Sequence, residues 1–242
     1  MTRRDFLMGA SIIPIVVANT NNIGTSSLEN ELIGIIKPPL FGDGYQLRKE
    51  ASDSFLKMKT AAQKEGISLI ALSSYRDFDH QSLIWNKKYD KYSKQGLNDG
   101  DIIEKITHYS SIPGTSRHHW GTEIDVIDGN KKLPSDPLNE KHFHGNGIYA
   151  SMKKWLDLHS SEFGFEEVYT NDLLRPGFKY EPWHFTYKPL SIGYLSAYLR
   201  INFQHISGHF KNLGGSSYLT EKYFEEYKTK YLLGINPILK PI

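Results

Sequence analysis

The chain of 242 residues contains no cysteine, and this absence excludes several kinds of site. Without thiols there is no disulfide framework, no cysteine nucleophile, no cysteine-ligated zinc or iron–sulfur centre and no lipid-modified N-terminal cysteine. Any metal ligands must therefore come from histidine, aspartate or glutamate. The chain is nevertheless long enough to bury a core without covalent cross-links.

The sequence also lacks an excess of charge of either sign. Its 29 Lys and Arg residues are balanced by 27 Asp and Glu residues, so the formal net charge is +2. A mixed surface of this kind supplies no concentrated basic field, and we therefore expect no nucleic-acid partner. Aromatic residues are plentiful instead, at 13% of the chain, which favours a dense core.

The apolar run near the N-terminus is too short to cross a membrane comfortably. Residues 8–18 are apolar and follow an Arg-Arg pair and a Phe-Leu pair, which together resemble a bacterial twin-arginine export signal. The polar residues after this run, up to residue 30, predict a flexible lead-in. We therefore predict an exported protein, periplasmic or otherwise extracytoplasmic, with no stable membrane span once mature. A Sec signal or an uncleaved amphipathic tail is the alternative.

Hydrophobic periodicity predicts alternating helices and strands in the first half of the mature chain. Apolar residues recur every three or four positions over 45–65, and Gly66 ends this predicted helix. The aliphatic residues of 67–73 predict a short buried strand. Two peripheral helices are expected to follow, at 77–92 and 101–109.

The second half of the sequence predicts a small sheet. Polarity alternates over Glu123–Asp128, and residues 166–170 and 182–187 predict two further strands. Pro182 removes a backbone donor, so we expect its strand to be an edge strand or a kinked one. With a helix predicted at 148–160, the class is α+β, a small and mainly antiparallel sheet flanked by helices.

Three regions follow from these patterns. Residues 1–30 contain the export signal and its lead-in, and residues 31–190 form a single folded domain. Residues 191–242 form a helical C-terminal extension that ends in a proline-bounded tail.

A metal site can be assembled from residues that are far apart in the sequence. His118 and Asp125 are seven residues apart, and His184 lies in a later predicted strand. Two imidazoles and one carboxylate leave a fourth position open on zinc, as catalytic sites require, and such a site lowers the pKa of a bound water to about 7. Glu181, three residues before His184, is the candidate acid–base residue. Spacing alone is weak evidence because the chain contains ten histidines.

Three ordered motifs strengthen this hypothesis. They resemble the signatures of VanY-type D-alanyl-D-alanine carboxypeptidases and related LAS-group zinc metallopeptidases, over residues 45–190. The motifs are Ser73-Ser-Tyr-Arg76 with Gln81, Ser116-Arg-His118-His-Trp-Gly121-Thr-Glu-Ile-Asp125, and Glu181-Pro-Trp-His184.

The resemblance implies a LAS/hedgehog-like metallopeptidase domain with one Zn²⁺ per chain, held by His118, Asp125 and His184. It implies that Glu181 is the catalytic base and then the acid. It also implies that Arg76 lies beside the peptide, where a guanidinium can bind a terminal carboxylate or polarise the scissile carbonyl. The resemblance further implies that the substrate is contacted by three other residues, Gln81, Ser116 and Trp183.

Two residues depart from the family pattern, and both add acid near the expected site. Asp77 stands where the family often has serine, and Glu123 where it often has alanine. Strand parity turns Glu123 to the same side as Asp125, so we expect it to compete for the metal or to bond to His119. His119 is itself an alternative ligand by sequence, and the family register alone selects His118.

The leading hypothesis is an exported zinc peptidase that removes a terminal D-amino acid from peptidoglycan stem peptides. Within the same enzyme class the alternatives are a D,D-dipeptidase, an L,D-carboxypeptidase and a peptidoglycan endopeptidase. A non-catalytic cell-wall-binding module is the alternative from another class, and the presence of Glu181 disfavours it. The sequence leaves the oligomeric state open.

Overall fold

A computed structural model describes residues 23–241 of the chain, with side-chain environments from residue 27 onward. The predicted export signal lies outside the described residues. Within this range the chain forms eight α-helices and four strands, in the order α1 (Ile23–Leu32), α2 (Lys49–Lys64), β1 (Leu69–Ser73), α3 (Phe78–Ser93), α4 (Asp99–Thr107), β2 (Glu123–Asp128), α5 (Ala150–His159), β3 (Phe165–Glu167), β4 (His184–Tyr187), α6 (Lys188–Tyr198), α7 (Phe203–Ser207) and α8 (Glu221–Tyr227).

The four strands form one sheet in the order β1-β2-β4-β3, and each neighbouring pair is antiparallel. All six residues of β2 are buried. Because side chains alternate along a strand, Ile124 and Val126 lie on one face of the sheet and Glu123 and Asp125 on the other. The structure confirms the predicted α+β class with a small antiparallel sheet.

Helices α2 and α5 cover the apolar face of this sheet. Their buried residues recur at helical spacing, and with Ile124, Val126 and Phe185 of the sheet they form one hydrophobic cluster. Burial of such a stripe, rather than local propensity, supplies most of the stability of a surface helix. Gly66 ends the last turn of α2 with a φ of 77°, a conformation that a side chain disfavours.

A second hydrophobic cluster joins α1, α3 and α4 to the C-terminal helices. Hydrogen bonds also cross this cluster. For example, the Tyr198 hydroxyl donates to the carbonyl of Gly114 at 2.7 Å, and the hydroxyls of Thr115 and Tyr227 lie 3.1 Å apart. The predicted C-terminal extension therefore packs on the same core as α3 and α4.

Two predicted strands have different environments from those expected. β1 is an edge strand with Ile70 42% and Leu72 39% exposed, so the expectation of a buried strand is wrong. β4 lies between β2 and β3, so the expectation of an edge strand is wrong too. Pro182 precedes β4, and its missing N–H therefore costs no ladder hydrogen bond.

The N-terminal end of the described chain is more ordered than its composition suggests. Helix α1 begins inside the region predicted as a flexible lead-in. The helix is anchored at its C-terminal end, where Leu32 and Ile33 are fully buried in the second cluster. No helix within residues 23–241 combines the length and the apolar character needed to cross a bilayer.

Removing a large side chain from α8 should destabilise the whole fold, since the C-terminal helices share their core with α3 and α4. Phe224 is 1% exposed, and we expect Phe224→Ala to lower the free energy of unfolding by about 3 to 5 kcal/mol. Leu174→Ala, at a residue 92% exposed, should change it by less than about 0.5 kcal/mol. Urea unfolding followed by circular dichroism measures both, and equal stabilities of the two variants would contradict the shared core.

Candidate active site

An unbroken buried segment, residues 112–128, carries most of the candidate site. Its centre is a 3₁₀-helix, Arg117–Trp120, which turns the imidazoles of His118 and His119 in different directions. Gly121 ends this helix with a φ of 69°, and a Cβ there would lie 2.8 Å from the Leu40 side chain. A tight turn without a side chain is therefore needed between the short helix and β2.

Strand pairing brings the second half of the site to the first. Asp125 of β2 lies directly opposite His184 of β4. The His184 N–H donates to the Glu181 carbonyl at 3.1 Å, so residues 181–184 form a tight turn. This turn, rather than a kinked strand, places Glu181 and His184 on the same side of the sheet, although residues three apart in a regular strand lie on opposite sides.

The three predicted ligands converge. One nitrogen or oxygen from each of His118, Asp125 and His184 lies within 4.8 Å of the others, and all three side chains are buried. His118 Nε2 is 3.4 Å from Asp125 Oδ2, and His184 Nδ1 is 3.1 Å from Asp125 Oδ1. Glu181 Oε2 lies 3.5 Å from the same His184 nitrogen.

Hydrogen bonds on the far side of each imidazole fix which nitrogen faces Asp125. His118 Nδ1 donates to the Ser74 carbonyl at 2.6 Å, and His184 Nε2 donates to Glu123 Oε2 at 2.8 Å. In neutral imidazoles the other nitrogens, which face Asp125, then carry lone pairs.

Lone pairs that face a carboxylate at this distance repel it unless a cation or a proton lies between them. Asp125 Oδ1 is moreover buried and has no hydrogen-bond partner among the described residues. Two imidazole nitrogens and one carboxylate are a donor set that zinc prefers, and they leave a coordination position open. The residues present therefore fit a bound zinc ion.

The pKa values of the groups around Asp125 favour a positive charge beside its carboxylate. Burial lowers the pKa of His118 to about 3, so its imidazole is neutral. Burial also opposes the charged form of His184, but the carboxylates of Asp125 and Glu123 outweigh it and raise the pKa of His184 to about 10. The space between His184 and Asp125 thus attracts a cation.

Glu181 has a different environment from the other carboxylates. Burial raises its pKa to about 7, and the charge of His184 opposes the shift only in part. A carboxyl group with this pKa can exchange a proton near neutral pH, as an acid–base residue must.

A pocket of about 820 Å³ opens beside these residues, and Arg76, Ser116 and Trp183 line it with the three ligands and Glu181. Arg76 donates to the side chains of Gln81 at 2.7 Å and Ser73 at 3.1 Å. Gln81 is fully buried behind Arg76 and donates its amide N–H to the Ser111 carbonyl. Gln81 therefore positions Arg76 and does not line the pocket.

The two acidic departures from the family pattern have structural roles. Glu123 forms a buried ion pair with Arg117 at 3.2 Å and accepts from Thr122 and His184, so the expectation that it bonds to His119 is wrong. Asp77 is exposed and caps α3 by accepting from the His80 N–H at 2.8 Å.

His119 is fully buried, and both of its ring nitrogens contact the backbone. Nδ1 donates to the Arg76 carbonyl at 2.6 Å, and Nε2 accepts from the Gly114 N–H at 3.2 Å. These bonds leave no lone pair for a metal, so the alternative ligand assignment fails.

Sequence reasoning missed the far wall of the pocket, residues 169–180. The C-terminal extension holds this wall: Arg175 donates to the Gly234 carbonyl at 2.7 Å, and the Asn236 N–H donates to the Val168 carbonyl at 2.8 Å. No motif signals these contacts, since both end on backbone carbonyls of residues that are distant in the sequence.

The buried side chains of His118, Asp125 and His184 thus form a candidate metal site beside a pocket. Sequence comparison gives the family: the VanY D-alanyl-D-alanine carboxypeptidase family matches residues 44–190, more than half of the chain, and the chain belongs to it. The predicted family is confirmed.

Individual relatives agree with this membership. The chain is 31% identical over 129 residues to a D-alanyl-D-alanine carboxypeptidase of Enterococcus faecalis, covering 52% of this chain and 42% of the relative. It is 28% identical over 146 residues to a putative carboxypeptidase, YodJ, of Bacillus subtilis, covering 58% and 46%. The chain thus spans less than half the length of these relatives.

Among solved structures, the chain is similar to a mutant of the vancomycin resistance D,D-pentapeptidase VanY from a VanB-type resistance cassette in complex with Zn(II). The TM-score is 0.49 at 22% identity, covering 75% of this chain and 88% of that one.

Glu123→Gln removes the charge that orients His184 while keeping the size of the side chain. We expect zinc affinity to fall about 10- to 100-fold, because the imidazole loses its fixed direction. Competition with a chromophoric chelator measures the affinity. Glu166→Gln on β3, which has no hydrogen bond to the three ligand residues, is the control, and an unchanged affinity in Glu123→Gln would refute the orienting role.

Proposed function

We propose that the protein is a zinc-dependent peptidase that removes a terminal D-amino acid from peptidoglycan stem peptides, as a D-alanyl-D-alanine carboxypeptidase. The observation that carries the proposal is the convergence of His118, Asp125 and His184 to within 4.8 Å beside the buried carboxyl of Glu181. Family membership supports the peptidase class. One zinc ion per chain fits the single cluster of three ligands found among the described residues.

A bound zinc ion would supply Lewis-acid polarisation and would make a water molecule acidic near neutral pH. The chain supplies the proton transfers: Glu181 takes a proton from the attacking water and delivers it to the leaving amine. Its location within 3.5 Å of a ligand nitrogen keeps it next to the reacting atoms.

Arg76 and Trp183 complete the chemistry on the substrate side. The guanidinium stays charged, and Gln81 and Ser73 hold its direction, so it can stabilise negative charge on the scissile carbonyl oxygen. Trp183 is 7% exposed and packs on Phe143, which gives the pocket a rigid apolar wall. Ser116 lines the pocket as a hydrogen-bonding neighbour.

We also propose that the protein acts outside the cytoplasm, where its substrate lies. The Arg-Arg pair and the apolar run at residues 8–18 support export through a twin-arginine signal. The D,D-dipeptidase, L,D-carboxypeptidase and endopeptidase activities, and a wall-binding module without activity, are the outcomes that the experiments below separate.

Replacing Glu181 tests the proton shuttle. We expect Glu181→Gln to reduce turnover of a muropeptide with a pentapeptide stem by at least about 10²-fold while leaving bound zinc in place. Mass spectrometry of the products identifies the bond: loss of one alanine indicates a carboxypeptidase, and loss of two indicates a dipeptidase. Glu166→Gln is the matched control with normal turnover. Cleavage only of a tetrapeptide stem would indicate an L,D-carboxypeptidase, and cleavage only of a cross-linked dimer an endopeptidase. Zinc binding without cleavage of any of the three muropeptides would indicate the binding module.

Removing the metal tests the cofactor. We expect dialysis against a chelator to abolish cleavage, because the water would no longer be acidified, and stoichiometric Zn²⁺ to restore it. Mg²⁺ should not restore it, since it prefers oxygen ligands and six-coordinate geometry. Full activity in the chelated protein, verified metal-free by atomic emission, would contradict a zinc mechanism.

A further inference from the structure

Helix α3 carries a second cationic side chain to the pocket. Ile84 and Lys88, one turn apart on this helix, both line the pocket, and Gln81 on the preceding turn holds Arg76. Lys88 is half-buried, and burial followed by the nearby charge of Arg76 lowers its pKa. The positive charge of Lys88 in turn acts on Glu181. Lys88 therefore lines the same pocket as Arg76 and Glu181.

Neither cation forms an ion pair within the part of the chain that the structure describes. Lys88 has no carboxylate within 4.0 Å and no side-chain hydrogen bond there, whereas Lys49, Lys141 and Lys153 each have a carboxylate partner. Arg76 bonds only to the neutral side chains of Gln81 and Ser73. A half-buried ammonium without a counter-ion is unfavourable, and an anionic ligand would relieve that cost.

We propose that Lys88 binds the free C-terminal carboxylate of the substrate peptide, while Arg76 acts on the scissile carbonyl. This inference rests on the proposed peptidase function. In a carboxypeptidase substrate the two groups are one residue apart, about 3.3 to 3.6 Å along an extended chain, so two cations in one pocket can serve both. A pocket of about 820 Å³ has room for both residues of the terminal dipeptide.

The proposal has a consequence for specificity. A substrate whose scissile bond is followed by an amide or by a cross-linked chain presents no carboxylate to Lys88. Such a substrate forms no charge-assisted hydrogen bond with the Lys88 ammonium. The structure therefore favours removal of a terminal residue over cleavage within a cross-link.

The test compares diacetyl-L-Lys-D-Ala-D-Ala with its C-terminal amide. The zinc-loaded wild type should prefer the acid by about 10- to 100-fold in kcat/KM, which is the usual strength of a hydrogen bond between charged groups. In Lys88→Met this ratio should fall towards one, mainly through a higher KM for the acid, and Lys88→Arg should restore much of it. Lys87→Met, at the exposed neighbour on α3, should keep the wild-type ratio.

Two results would overturn the assignment. If Lys88→Met slows the acid and the amide equally, the ratio stays at its wild-type value and Lys88 acts through Glu181 instead of the substrate terminus. If the wild type shows no preference for the acid, no carboxylate subsite exists.

Failure of the proposed function would give a different result, namely no cleavage of either peptide by the wild type. Calorimetry with the same two peptides then decides the role of Lys88. A preference of the wild type for the acid that Lys88→Met loses supports the subsite, and equal affinities for acid and amide reject it.

Discussion

The burial of three carboxylates on one central strand is the constraint on which the site depends. Glu123, Asp125 and Asp128 of β2 are all at most 4% exposed, and a buried carboxylate must be compensated. Asp128 accepts the backbone N–H groups of Ser68 and Asn130, and Glu123 has the Arg117 guanidinium. Asp125 has only imidazoles, and one of its oxygens has no hydrogen-bond partner among the described residues. A bound divalent cation would compensate the charge of Asp125, the one of the three carboxylates without a full set of partners.

The electrostatic arrangement follows from that compensation. Glu123 has a pKa held at about 2 by Arg117 and His184, which overcome the effect of its burial, so it remains a permanent acceptor for His184. Glu181 has no arginine partner of this kind, and burial outweighs the charge of His184 at 3.5 Å and raises the pKa of Glu181 to about 7. Under the proposed function, the two glutamates near the same histidine would have different tasks: Glu123 would orient a metal ligand and Glu181 would exchange protons.

The sequence predicted which residues line the site, but it did not predict most of the contacts that position those residues. The motifs identified His118, Asp125 and His184, and alternation of polarity located β2 at its observed bounds. The sequence could not show that Glu123 faces Arg117, that Gln81 lies behind Arg76 or that Lys88 reaches the pocket, because each depends on tertiary packing. The same holds for α1, whose order comes from Leu32 and Ile33 packing against helices distant in sequence.

The proposed function requires that two imidazoles and one carboxylate of this chain bind one zinc ion. Metal analysis combined with X-ray absorption at the zinc K edge of the purified protein tests it most directly. We expect one zinc per chain with scattering from two imidazoles, and from a single imidazole in His184→Ala protein reloaded with zinc. A zinc shell made of oxygen atoms alone, or one unchanged in the His184→Ala protein, would contradict it.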